Sequence, residues 1–222
     1  MDSRILYDGL IAYLCFLPLL TFHEFAHAWV AWKCGDDTAY SQGRVTINPI
    51  SHMELVGTVI LPMLALFLTA AGSGFASFII GWGRPVPVNL SRLNHPRRDD
   101  TLVALAGPAM NLALAVIALA IAKLGLLGDA GTFVKIATQT AWISLILCFF
   151  NLLPIPPLDG SHVIKNLIGM SEETYFRLCQ YGFLAVIIAI QVPAVRNLVF
   201  IASKVSFELI AGSLGIPRNA LR

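Results

Sequence analysis

Four stretches of this chain, residues 55–83, 102–122, 136–158 and 178–195, contain no Asp, Glu, Lys, Arg or His. A fifth, residues 9–32, contains only His23, Glu24 and His27. About 20 apolar residues at ~1.5 Å each cross a ~30 Å hydrocarbon core, so every one of these runs is near bilayer length. With 13% of residues charged and 57% hydrophobic, the chain lacks the polar groups to cover a soluble domain of 222 residues. The expected fold is an all-α polytopic membrane protein with about 4–6 transmembrane helices in a lipid bilayer. A net charge of +2 gives no footing for nucleic-acid binding. Cys15, Cys34, Cys148 and Cys179 are scattered singly, which argues against a disulfide framework or a thiolate metal site.

The polar segments between these runs are short. Residues 44–48 alternate β-branched and polar side chains before Pro49, which predicts a short β-strand or half-hairpin near 40–50. Residues 84–101 are rich in proline and read as an extended loop. Within 55–83, Pro62 and the Ala-Gly-Ser-Gly of 71–74 break the run. Length alone permits one crossing or a hairpin.

His23, Glu24 and His27 form His-Glu-x-x-His, and helical spacing i, i+4 puts both imidazoles on one face. Two such histidines hold Zn²⁺, and the adjacent glutamate acts on the water beside it. Each ionisable group costs about 2.5–3.5 kcal/mol in a membrane helix, so three within a turn need a partner such as a metal. Asp159 offers a third ligand, because Pro154, Pro156 and Pro157 open the backbone before it, and irregular backbone at membrane depth lines a buried or wet site. Asn111, after Gly107-Pro108, and Asn151 are polar groups in apolar runs. Each reads as helix–helix adhesion or as a donor to substrate backbone or a developing oxyanion.

One site requires the exit end of the first helix, the entry end of 102–122 and the exit end of 136–158 on one membrane face. Residues 33–101 must then cross an even number of times, so 55–83 is expected to be a re-entrant or hairpin element turning near 71–74. Lys33, Arg44, Arg84, Arg92, Arg97, Arg98, Lys165 and Arg177 then share the active face, against Arg4, Lys123 and Lys135 opposite. This bias makes the active face cytoplasmic. A final helical pair, about 178–214, returns Arg218 and Arg222 to the cytoplasm.

In combination, His23-Glu24-x-x-His27, Gly107-Pro108-x-x-Asn111 and Asn151-x-x-Pro154-x-Pro156-x-x-Asp159-Gly160 resemble the site-2 proteases, intramembrane zinc metalloproteases. The likeness spans about 9–165, and residues 43–58 and 81–99 look like the compact prokaryotic branch without PDZ or CBS domains. It implies one integral-membrane peptidase domain over 1–222, with a catalytic core of about 9–165. It further implies one Zn²⁺ per chain on His23, His27 and Asp159, Glu24 as catalytic base, and transmembrane proteins of a prokaryotic cell membrane as substrates. Many relatives carry an arginine where this chain has His162. Two rival classes are a catalytically silent relative that binds membrane proteins and a metal transporter. His52 reads as a gate, an auxiliary ligand or an ordinary interfacial histidine.

Overall fold

A computed structural model of the chain describes residues 3–74, 81–128 and 130–217. Three helices are long and apolar enough to cross a membrane: α1 (Ser3–Lys33), α4 (Pro96–Leu127) and α5 (Gly131–Asn151). A fourth span arises if α7 (Glu172–Gln180) and α8 (Gly182–Gln191), bent by 60° at their junction, count as one. Among the described residues three lies just below the expected 4–6, and four is its low end. The final pair expected over 178–214 is replaced by α8 and α9 (Pro193–Ser213), which touch each other. Pro193 sets this boundary by taking the first helical position of α9, where its missing N–H costs nothing. Arg218 and Arg222 lie outside the described residues.

α4 is the hub, packing against α1, α5 and α6 (Asp159–Leu167), while α5 packs against α9. Ala115, Ala118, Ala141 and Ala211 lie buried among Leu119, Leu145 and Ile216. Small side chains let these backbones approach where no water drives apolar surfaces together. Pro96 opens α4, and the Asp99 carboxylate accepts the His95 N–H at 2.7 Å, closing the helix entrance.

The described ends of residues 55–83 lie together. A π-turn (Leu55–Ile60) leads into α3 (Leu61–Ala70), followed by Gly72 at φ +75°. The Tyr13 hydroxyl donates to Thr58 O at 3.0 Å, and Gly9 faces Leu66, so α3 runs back along α1 away from the histidines. After the turn the chain rejoins its own entrance: Trp82 N–H donates to Gly57 O at 3.1 Å and Arg84 N–H to His52 O at 2.8 Å. Thr58, fully buried, donates its hydroxyl to Trp82 O at 2.8 Å. A methyl added at Gly57 would sit 2.5 Å from the Trp82 ring, so only glycine admits this closure. The two ends of the re-entrant or hairpin element expected for 55–83 therefore meet. Its residues 75–80 lie outside the described set.

The strand expected at 44–48 is absent among the described residues. Instead, α2 (Thr38–Ser41) makes one helical turn, Gly43 takes φ +67° and a 3₁₀ turn covers Pro49–Ser51. Alternation alone made the strand plausible, but no neighbouring segment pairs with it. The buried Arg44 instead donates to Arg84 O and Pro85 O at 2.6 and 3.2 Å, and the Asn48 side chain caps Ile50 N–H at 3.1 Å. His52 is fully enclosed with Nε2 2.8 Å from Thr46 O. Burial pulls its pKa down. His52 thus braces the loop.

This closure makes a topological prediction. In a background without native cysteines, single cysteines at Gln42 and Ser91 should react with a membrane-impermeant maleimide from one face. A cysteine at Gly128 should react only from the other. Labelling of positions 42 and 91 from opposite faces would mean that residues 55–83 cross the membrane once.

Candidate metal centre

The His-Glu-x-x-His turn lies in α1, and α4 crosses over it. The His23 and His27 Nε2 atoms are 3.0 Å apart, and Asp159 Oδ2, at the first residue of α6, lies 3.2 and 3.4 Å from them. All three side chains are largely shielded from solvent. Among the described residues this trio is the group of His, Cys, Asp or Glu side chains with ligand atoms close enough to share a metal. Tetrahedral ligation with bonds of ~2.0–2.1 Å separates ligand atoms by roughly 3.3 Å, which matches the spacing found.

The donor set suits a cation. His27 Nδ1 lies 2.7 Å from Val103 O, and a carbonyl only accepts, so Nδ1 carries the proton. Neutral His27 therefore presents a bare lone pair at Nε2. Asp159 Oδ2 is buried and makes no well-formed hydrogen bond. Two acceptors facing each other in a low-dielectric interior repel unless a positive charge lies between them. Zn²⁺ fits this arrangement of two imidazoles and one carboxylate.

α4 meets the histidines with residues of one stripe. Val103 supplies the carbonyl for His27. Asn111, fully buried, lies with its amide nitrogen 3.1 Å from His23 Nδ1 while its Oδ1 has no partner. Amide oxygen and nitrogen are exchanged by a simple flip. With the amide turned over, Oδ1 accepts from Nδ1–H, the tautomer that frees His23 Nε2 for a metal. Between them, Gly107 lies so close that a methyl would fall 2.3 Å from His27 Nε2 and 2.6 Å from His23 Nε2. The buried Ser144 of α5 fixes this level of α4 by donating to Asn111 O at 2.6 Å.

Asn151, in the last turn of α5, donates its amide to Leu147 O at 3.0 Å. Glu24 is half-buried beside His23 and close enough to act electrostatically on Arg44 and His52. His52 is not among the gathered ligands. His162 donates from Nδ1 to the Asp100 carboxylate at 3.1 Å, so the position where an arginine was expected still carries a donor. Sequence reasoning missed the Val103 carbonyl, the clearance at Gly107 and the buried Asp100. Only Gly107-Pro108 gave a signal, since a glycine before proline inside an apolar helix marks close approach.

An apolar helical bundle in which a His-Glu-x-x-His helix meets a carboxylate defines the class of membrane metallopeptidases. The chain belongs to peptidase family M50, the site-2 proteases, whose profile matches residues 11–128 and 119–192. It is 37% identical over 206 residues to YwhC of Bacillus subtilis (strain 168), named as a candidate zinc metalloprotease, with 87% of each chain covered. It is 32% identical over 195 residues to Rip2 of Mycolicibacterium smegmatis, also named as a candidate zinc metalloprotease, covering 83% of this chain and 68% of that one. No solved structure matches. These likenesses make the protein a membrane metalloprotease with zinc as its implied cofactor.

Gly107→Ala should weaken zinc binding about 100-fold or more in chelator competition. Gly131→Ala, whose methyl meets nothing within 4 Å, should leave it unchanged. Asn111→Leu should cost roughly tenfold to a hundredfold, the usual effect of removing a partner from a ligating histidine.

Proposed function

We propose that the protein is an intramembrane zinc metallopeptidase that hydrolyses peptide bonds in or beside transmembrane segments. The observation that carries this reading is the convergence of three acceptor atoms on one point within the membrane bundle, with Glu24 beside them. His23, His27 and Asp159 would hold one Zn²⁺ per chain. The metal supplies Lewis acidity at the scissile carbonyl and a water acidified toward ~7.

The chain's own groups do the rest. Glu24 takes the proton of the attacking water on its carboxylate and delivers it to the leaving amide nitrogen. Val103 O and Asn111 hold the imidazoles in the tautomer that presents Nε2 inward. That task and full enclosure leave Asn111 badly placed to donate to an oxyanion, so Asn151 is the better candidate for a contact to substrate backbone. A substrate helix must open before its peptide carbonyl can reach the site, because a membrane helix satisfies its own backbone.

The lysines and arginines that flank α1, α4 and α6 at the histidine end favour a cytoplasmic active face. The catalytic core of this reading is about residues 9–165, within a single membrane domain. A pure metal transporter has no use for Glu24 at this position, and a silent binding protein has no use for the complete ligand set.

Glu24→Gln should retain stoichiometric zinc while cleavage of a transmembrane substrate falls about 10²–10⁴-fold. Zinc retained with no cleavage of any substrate by the native chain would favour the silent reading. Metal flux into proteoliposomes, unaffected by Glu24→Gln, would favour transport.

A further inference from the structure

Away from the metal centre, one carboxylate gathers three side chains of α6. Asp100, in the second turn of α4, is almost completely buried. It lies 3.1 Å from His162 Nδ1, 2.8 Å from Lys165 Nζ and 2.7 Å from Asn166 Nδ2. Positions 162, 165 and 166 are spaced i, i+3, i+4 and share a helix face. Lys165 is 1% exposed, and its charge is balanced a second time by Glu172 at 2.9 Å. Burial disfavours its ammonium, but the two carboxylates outweigh that and push its pKa up. The Tyr175 ring lies 5.0 Å from the same nitrogen, and its hydroxyl reaches Ser161 at 2.8 Å.

A buried ionic cluster of this kind is poor evidence for stability, since apolar groups of the same volume often serve as well. It is better evidence for placement. Helix α6 is nine residues long and begins at Asp159. The proline-bearing residues 152–158 that precede it form turns and bends rather than a regular helix, and Gly160 seats the first turn of α6 on the Leu152 and Leu153 carbonyls at the end of α5, leaving the 162–165–166 face to be held from elsewhere. The clamp on α6 comes from α4. Asp100, Val103, Gly107 and Asn111 fall at i, i+3, i+7 and i+11, a single stripe of that helix. Its lower part fixes α6, and its upper part fixes His27 and His23.

We infer that Asp100 is a positioning residue for the metal centre: by docking the 162–165–166 face of α6 on α4, it sets Asp159 opposite the histidine pair without touching the metal. This rests on the reading of His23, His27 and Asp159 as zinc ligands.

The test is a double-mutant cycle on the full-length chain in detergent, with zinc affinity read by competition with a chromophoric chelator. Asp100→Asn should weaken zinc binding about tenfold or more while Asp159 is present. In the Asp159→Asn background, which leaves only the histidine pair, the same change should have no further effect. His162→Arg keeps a donor toward Asp100 and should retain native affinity. Asn166→Ala removes one of three donors and should reproduce the cycle at smaller size, serving where Asp100→Asn does not fold. Equal weakening with and without Asp159 would assign Asp100 to general support of the fold and overturn the inference. So would native affinity in Asp100→Asn. A native chain that binds no zinc would overturn the metal reading itself, a different result from loss confined to the Asp100 variants.

Discussion

Two imidazole nitrogens and a carboxylate oxygen, all within 3.4 Å of one another, are an arrangement that costs free energy unless positive charge lies among them. In an apolar bundle bulk solvent cannot screen it, which makes the need for positive charge sharper than on a soluble surface. Most of the fold near this point can be read as geometry imposed by that meeting. The histidines come from one helix, their orientation from a second and the carboxylate from a third. Each must keep its place to within a few tenths of an ångström, because the ligand spacing of a tetrahedral ion leaves little slack.

The topology follows from the same requirement. α1 reaches the site at its far end, α4 starts from that face, and α6 starts from it again. Residues 55–83 therefore have to give back whatever depth they take. Their closure is local and specific: Trp82 on Gly57, Arg84 on His52, and Thr58 bridging the two sides. At the opposite end of the bundle, Asp8 near the start of α1 pairs with Lys135 near the start of α5 at 3.2 Å. Both are exposed, and the pair contributes little energy. Its value is as a marker that these two helix starts share the face opposite the histidines.

What could be read in the sequence was whatever carries its own cost in lipid. His23, Glu24, His27 and Asp159 stand out because ionisable groups are rare in apolar runs, and their joint demand on topology predicts that 55–83 is a re-entrant or hairpin element. The alternation at 44–48 was misleading for the opposite reason. In a loop that lies among polar groups, period-two patterning has no buried face to enforce it, and Arg44 found carbonyls at Arg84 and Pro85 instead of a strand partner. The outer partners of the site were harder to read because, Gly107-Pro108 apart, none stands out by residue type. Val103 contributes a backbone carbonyl, Gly107 contributes the absence of a side chain, and Asp100 looked like one more charge in a polar run.

That concealment has a physical logic. The stripe Asp100, Val103, Gly107 and Asn111 contains no residue expected to bind a metal, yet His23 and His27 lie against it and Asp159 is tied to it through α6. Pro108, just beside it, removes the N–H that would bond Ala104 O and softens α4 at the level where it passes the imidazoles. A helix that must sit within contact of two rings and also clamp a third element cannot be adjusted by side-chain repacking alone. Its axial position is set at one end by Asp100 and in the middle by Ser144 on Asn111 O. A shift of one residue along α4 would place a Cβ where Gly107 now leaves room and turn Asn111 away from His23. The register of α4 against α1 thus shapes this candidate metal centre as much as His23, His27 and Asp159 do.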